Sequence, residues 1–178
     1  MRSIVEWDTN KPLGEIEQVE HTYAVIGNMN EHQLTVVEST WGGRPELVDT
    51  TGIIDYGSLM QLALERAKTA REAIKVMTGL VKKYRYYSSG ESFTIADPNE
   101  AWILDLIGKG PGRRGAVWVA VRIPDDCIAG HANYPRIHKI PMDDKENCLY
   151  SPDVISFARE MGYFDGLNKD FSFARAYL

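Results

Sequence analysis

Apolar residues recur every second position in some stretches of the chain and every third or fourth in others, and the alternation between the two spacings outlines its elements. From Tyr56 the longer spacing takes over: Leu59, Leu62, Ala63 and Ala67 share one helix face. A second helix starts at Thr69, where Thr69-Ala70-Arg71-Glu72 fits a capping box, and Ala70, Ala73, Ile74, Met77, Val81 and Tyr84 form its apolar stripe. Ahead of these helices, Thr22–Asn28 and Leu34–Ser39 are rich in β-branched residues and predict a pair of strands, which Trp41-Gly42-Gly43-Arg44-Pro45 brings to an end. Behind them, Ser89–Leu106 reads as a hairpin. Phe93 and Ile95 alternate with polar neighbours, Asp97-Pro98-Asn99-Glu100 has turn chemistry, and Trp102, Leu104 and Leu106 alternate on the return.

The next strand, Ala116–Ile123, is apolar on both faces and so predicts a strand covered on both sides. Cys127–Asn133 predicts one more strand before Tyr134-Pro135. Ser151-Pro152-Asp153 opens a helix with a hydroxyl cap and an early proline, Val154, Phe157, Ala158 and Met161 share its face, and Gly162 stops it. At the ends, Met1–Glu20 offers only Ile4, Trp7 and a turn at Asn10-Lys11-Pro12, and Asp165–Leu178 has aromatics without a period. Together these elements predict one α+β domain over residues 1–178, with a sheet covered by helices.

Composition narrows the functions. A hydrophobic share of 44% with 25% charged residues is that of a soluble globular protein. The formal net charge of −5 argues against a binder of nucleic-acid backbones. The basic group Lys109, Arg113 and Arg114 reads as a solvated loop, and its four nearby glycines lack the Gly-Lys-Ser/Thr ending of a phosphate cradle. No stretch is long enough for a transmembrane helix, and Met1-Arg2-Ser3-Ile4 runs directly into acidic and polar residues, unlike a signal peptide. No cofactor motif is present, and a metal site from His131, His138 and neighbouring aspartates is disfavoured because no tight ligand spacing is present.

Candidate chemistry is sparse. Cys127 and His131 could be imagined as a nucleophilic pair, but four residues of strand separate them by about 13 Å. Cys148, His21 and His32 have no partner that spacing identifies. Asn133, in Asn-Tyr-Pro at the expected strand end, places a carboxamide donor at the sheet rim, where it could serve a turn or an oxyanion.

Several stretches resemble, in order, the cysteine dipeptidases of the N-terminal-nucleophile (Ntn) hydrolase superfamily, of the dipeptidase A type, relatives of penicillin V acylase and bile salt hydrolase. They are Asn28-Met29-Asn30-Glu31-His32-Gln33 with Glu38-Ser39-Thr40, the helical run Leu62–Ile74, the hairpin Phe93–Trp102, and Trp118–Asp126 leading to Asn133. The resemblance implies an αββα sandwich, here partial, with antiparallel sheets and helices packed outside. It also implies hydrolysis of the peptide bond of dipeptides by a cysteine at the mature N-terminus, whose own α-amino group manages the proton. Asn133 corresponds to the asparagine that donates to the oxyanion, and Thr40 falls near a second residue on the oxyanion side.

The nucleophilic cysteine of that pattern belongs upstream of the first hairpin, whereas the first cysteine here is Cys127. The expectation is therefore an internal piece of a dipeptidase, inactive alone, with a dipeptide as substrate of the complete enzyme. A complementing N-terminal segment or self-association would cover its open edges. The alternative is a non-catalytic binding or interaction domain that retains the Ntn scaffold. Compartment is left open.

Overall fold

Two antiparallel sheets and four helices make up the computed structural model, which describes every residue from Met1 to Leu178. The larger sheet is a seven-stranded meander in chain order: β3 (Val25–Ile26), β4 (Met29–Asn30), β5 (Thr35–Gly42), β6 (Gly90–Ala96), β7 (Ala101–Gly108), β8 (Ala116–Ile123) and β9 (Cys148–Tyr150). Helices α1 (Tyr56–Arg66) and α2 (Ala70–Tyr84) are inserted between β5 and β6. The smaller sheet pairs β1 (Arg2–Val5) with β2 (Pro12–Ile16). The expected α+β class, a partial sandwich of antiparallel sheets with helices outside, is what the chain forms.

Alternation sorts the central strands into two faces. Leu34, Val36, Phe93, Ile95, Trp102, Leu104 and Leu106 pack beneath α1 and α2. Ile103, Ile107, Val117 and Val119 face the other way, toward α3 (Val154–Glu160) and α4 (Phe173–Tyr177). Both faces of β7 and β8 are thus covered, as the apolar runs predict. Gly90 opens β6 because a Cβ there would lie 2.5 Å from the Trp41 ring.

The helix starts follow the sequence signals. Asp55 caps α1 by accepting from the Ser58 N–H at 3.0 Å, and Thr69 caps α2 by accepting from the Glu72 N–H. The Glu72 carboxylate reaches one residue beyond the cap, to the Lys68 N–H. At the far end of α1, buried Asn30 donates through Nδ2 to the carbonyls of Leu64 and Ala67, joining β4 to the helix. Basic residues of the glycine loop turn to α3, where Lys109 pairs with Asp153 and Arg113 with Glu160.

Five local expectations change. Cys127–Asn133 is a loop, because the place beside β8 is taken by β9 and Asn133 adopts a left-handed φ of 49°. The Ser151 hydroxyl does not cap α3; it accepts from the Trp118 N–H in β8. β5 runs past Ser39 through a bulge to Gly42, while the strand expected over Thr22–Asn28 shrinks to Val25–Ile26. Within Met1–Glu20, Arg2–Ile16 forms a hairpin, with Ile4 and Ile16 buried in the helical core, Arg2 paired with Glu65, and Trp7 packed on Gly57.

Candidate active site

The loop after β8 lays Asn133 across β5. Its backbone N–H donates to Ser39 Oγ at 2.6 Å and its Nδ2 donates to the Thr40 carbonyl at 2.6 Å. The left-handed conformation that Asn tolerates well aims both donors at one strand. Nδ2 carries a second hydrogen, and Asn133 is exposed, so one donor direction stays open to solvent. Asn133 and Thr40 are therefore brought together, at the edge of the sheet that the hairpin β6–β7 supports.

Two contacts fix the loop on either side of Asn133. His131 Nε2 and Thr94 Oγ1 are 2.7 Å apart. Further along, Asp105 Oδ2 accepts from the Ile137 N–H at 2.8 Å while its Oδ1 accepts from Ser92 Oγ at 2.5 Å. Asp105 is fully buried, and that burial pushes its carboxyl above the usual range, against the lowering influence of Ser92 and the loop amides. Sequence spacing missed this group because its members are 13 to 37 residues apart.

On the opposite face of β5, the Thr40 hydroxyl donates to Glu91 Oε1 at 3.0 Å and lies 3.4 Å from Glu38 Oε2. Glu91 is 1% exposed, with Oε2 buried and unpartnered. Burial first, and then the neighbouring Glu38 carboxyl, push it up to about 9. Its signal was present in the sequence: Glu91 alternates in register with Phe93 and Ile95, a charged residue at a core position.

Neither cysteine is prepared for attack. Cys127 is exposed and its Sγ contacts the Asp126 carboxylate at 3.5 Å, while the imidazole of His131 is engaged with Thr94. Cys148 is buried in β9, where desolvation pushes its thiol up to about 11. The imagined pair Cys127 and His131 is not formed. No cluster of three or more His, Cys, Asp or Glu has the geometry to hold a metal ion, and no helix is long and apolar enough to cross a membrane.

Comparison with known proteins adds a family. A probable dipeptidase of Salmonella dublin is 30% identical over 151 residues, which is 81% of this chain and 33% of that protein. A probable dipeptidase of Latilactobacillus sakei is 34% identical over 100 residues, 56% of this chain and 20% of its own. Probable dipeptidase B of Streptococcus pyogenes serotype M1 is 27% identical over 120 residues, 67% of this chain and 23% of its own. The chain thus spans a third or less of the length of each of these curated relatives. The sequence pattern of peptidase family C69 runs from residue 2 to residue 178, through the sheet, both helical layers and the loop of Asn133, and the chain belongs to that family.

Proposed function

We propose that residues 1–178 form the oxyanion side of a cysteine-type dipeptidase of the Ntn-hydrolase kind, whose nucleophile is supplied from outside this stretch. The observation that carries the reading is Asn133, bound by two 2.6 Å hydrogen bonds over Ser39 and Thr40 with a carboxamide N–H left for a ligand. Such a donor acts where charge develops on the scissile carbonyl oxygen, and holding it rigid beforehand lowers the cost of that charge. Probable dipeptidases among the relatives support a dipeptide as substrate. The states of Cys127 and Cys148 support a nucleophile from elsewhere, since one thiol lies beside a carboxylate and the other is buried and protonated. A cysteine thioester would form with loss of the leaving amine, and water would then release the acyl group.

The test is hydrolysis of a dipeptide panel by the chain alone and by the chain with a cysteine-bearing N-terminal segment placed ahead of residue 1. The expected result is turnover only in the joined form, blocked by iodoacetamide and lowered ~10²-fold or more by Asn133→Ala. Alkylation-sensitive hydrolysis by the chain alone, lost in Cys127→Ser, would overturn it. A second reading, an interaction domain on the same scaffold, draws on the exposed Ile26, Met29 and Val37 along the β3–β5 end of the sheet. Under that reading the chain self-associates at micromolar concentration, and sedimentation as a monomer would count against it.

A further inference from the structure

A cavity of about 790 Å³ opens on the α3 side of the sheet, between the loop that follows β8, α3 and the turn Asn168–Asp170. That is the size of a small-molecule site. Its floor is apolar: Ile155 and Phe171 are buried and Val121 is half-buried. One wall is the loop segment from Lys139 to Asp144, and it is held at both ends. The His138 carbonyl accepts from the Phe173 N–H at 3.0 Å, and the Asp144 carbonyl accepts from the Cys148 N–H at 2.8 Å.

Charges of both signs stand free at the mouth. Lys139 and Asp143 on the wall and Lys169 on the turn are exposed, and none of the three takes part in an ion pair of the chain. Asp144 differs, since both its oxygens accept from Asn147 at 3.1–3.2 Å and so hold the loop's own turn. The cavity is also separate from the oxyanion side. Asn133 lies over Ser39, and Ser39, Ser92, Asp105 and Val119 are register partners across β5, β6, β7 and β8. Three strand spacings of ~4.8 Å make ~14 Å, and Val121 is two residues further along. An extended dipeptide spans ~7 Å, too short to reach from Asn133 to this floor.

We infer that this cavity binds a free apolar amino acid as its zwitterion, with the side chain on Val121, Ile155 and Phe171, the carboxylate toward Lys139 and Lys169, and the ammonium toward Asp143. Each free charge of the mouth then gains an opposite partner, and the floor loses apolar surface to the ligand rather than to water. A dianion such as phosphate would meet Asp143 and Asp144 as well as the lysines, and no cluster of ligands here suits a metal ion. Hydrolysis under the proposed function releases molecules of this class, but the site uses none of that chemistry and stands without it.

The test is titration of the ¹⁵N-labelled chain with phenylalanine and with three molecules that each lack one of its parts: 3-phenylpropanoate without the ammonium, phenethylamine without the carboxylate, and glycine without the apolar side chain. Phenylalanine is expected to give saturable shifts at the amides of Val121, Ile155 and Phe171 and none at Asn133, and each of the other three to bind ~10-fold or more weakly. Lys139→Gln with Lys169→Gln should abolish the preference for phenylalanine over phenethylamine, and Asp143→Asn the preference over 3-phenylpropanoate. These exposed side chains can be replaced without touching the buried floor. Absence of saturable shifts at the three amides, equal affinity for phenylalanine and any of the three analogues, or preferences unchanged in the variants would overturn the inference. Shifts centred on Asn133 would overturn it too, by assigning the amino acid to the oxyanion side. Failure of the joined form to hydrolyse dipeptides would refute the dipeptidase reading and leave this titration untouched.

Discussion

Replacing Asp105 with alanine should loosen the loop that carries Asn133. The carboxylate accepts from Ser92 Oγ and from the Ile137 N–H, and both donors lose their partner in Asp105→Ala. A buried donor left unsatisfied costs ~1–3 kcal/mol, so two of them cost about 3 kcal/mol once the site relaxes. For a chain of this size that corresponds to a fall of about 6–12 °C in Tm. Asp105→Asn should behave differently. Its amide oxygen can accept from Ile137 while its NH₂ donates to the Ser92 hydroxyl, and burial already favours the uncharged carboxyl. The asparagine variant should therefore keep most of the stability that the alanine variant loses. Thermal melts followed by circular dichroism read the difference, and amide exchange at Asn133 and Ile137 should quicken in Asp105→Ala alone. If Asp105→Ala melts within about 2 °C of the parent, or Asp105→Asn is equally damaging, the hydrogen-bond account of this loop is wrong.

Two further outcomes are expected. In the folded chain, Cys127 should react with a disulfide reagent at pH 8 while Cys148, held near 11 by burial, is only about one part in a thousand thiolate and waits for unfolding; two thiols reacting at one rate would contradict the assignment. Glu91 keeps its proton to about 9 in the fold against ~4.3 when unfolded, so its contribution is fully present below the lower value and is lost as pH rises toward the upper one. Glu91→Gln removes that loss, and its urea midpoint relative to the parent should climb between pH 5 and pH 8; parallel curves would show that Glu91 does not titrate in this way.

Strong periods were legible in the sequence and lone residues were not. β7 and β8 carry apolar side chains on both faces, and α2 combines a continuous stripe with a hydroxyl cap, so local chemistry and burial agree. β9 is three residues long, and its place was betrayed by nothing local; it forms because β8 offers an unpaired edge to Cys148–Tyr150. Ser151 looked like a cap for the same reason that it is not one, since a hydroxyl serves whichever N–H the tertiary fold presents, here that of Trp118. At the candidate site, Asn133 and Thr40 were named through resemblance, and the fold puts them within one hydrogen bond. Ser39, Asp105 and His131 act across sheet neighbours or through a loop, which no spacing rule expresses.

Asp97 bears on how the molecule assembles. In the turn between β6 and β7 its Oδ1 accepts from the N–H groups of Asn99 and Glu100, while its Oδ2 accepts from the Ala70 N–H at the start of α2. One side chain thus closes the hairpin and docks the helix 27 residues earlier. The two events share a carboxylate, so neither is complete without the other, and the pair has the character of a folding nucleus made of one local contact and one distant one. A mutation at Asp97 should then slow folding more than it speeds unfolding, whereas a mutation at the periphery, such as at the β1–β2 hairpin, should show the reverse.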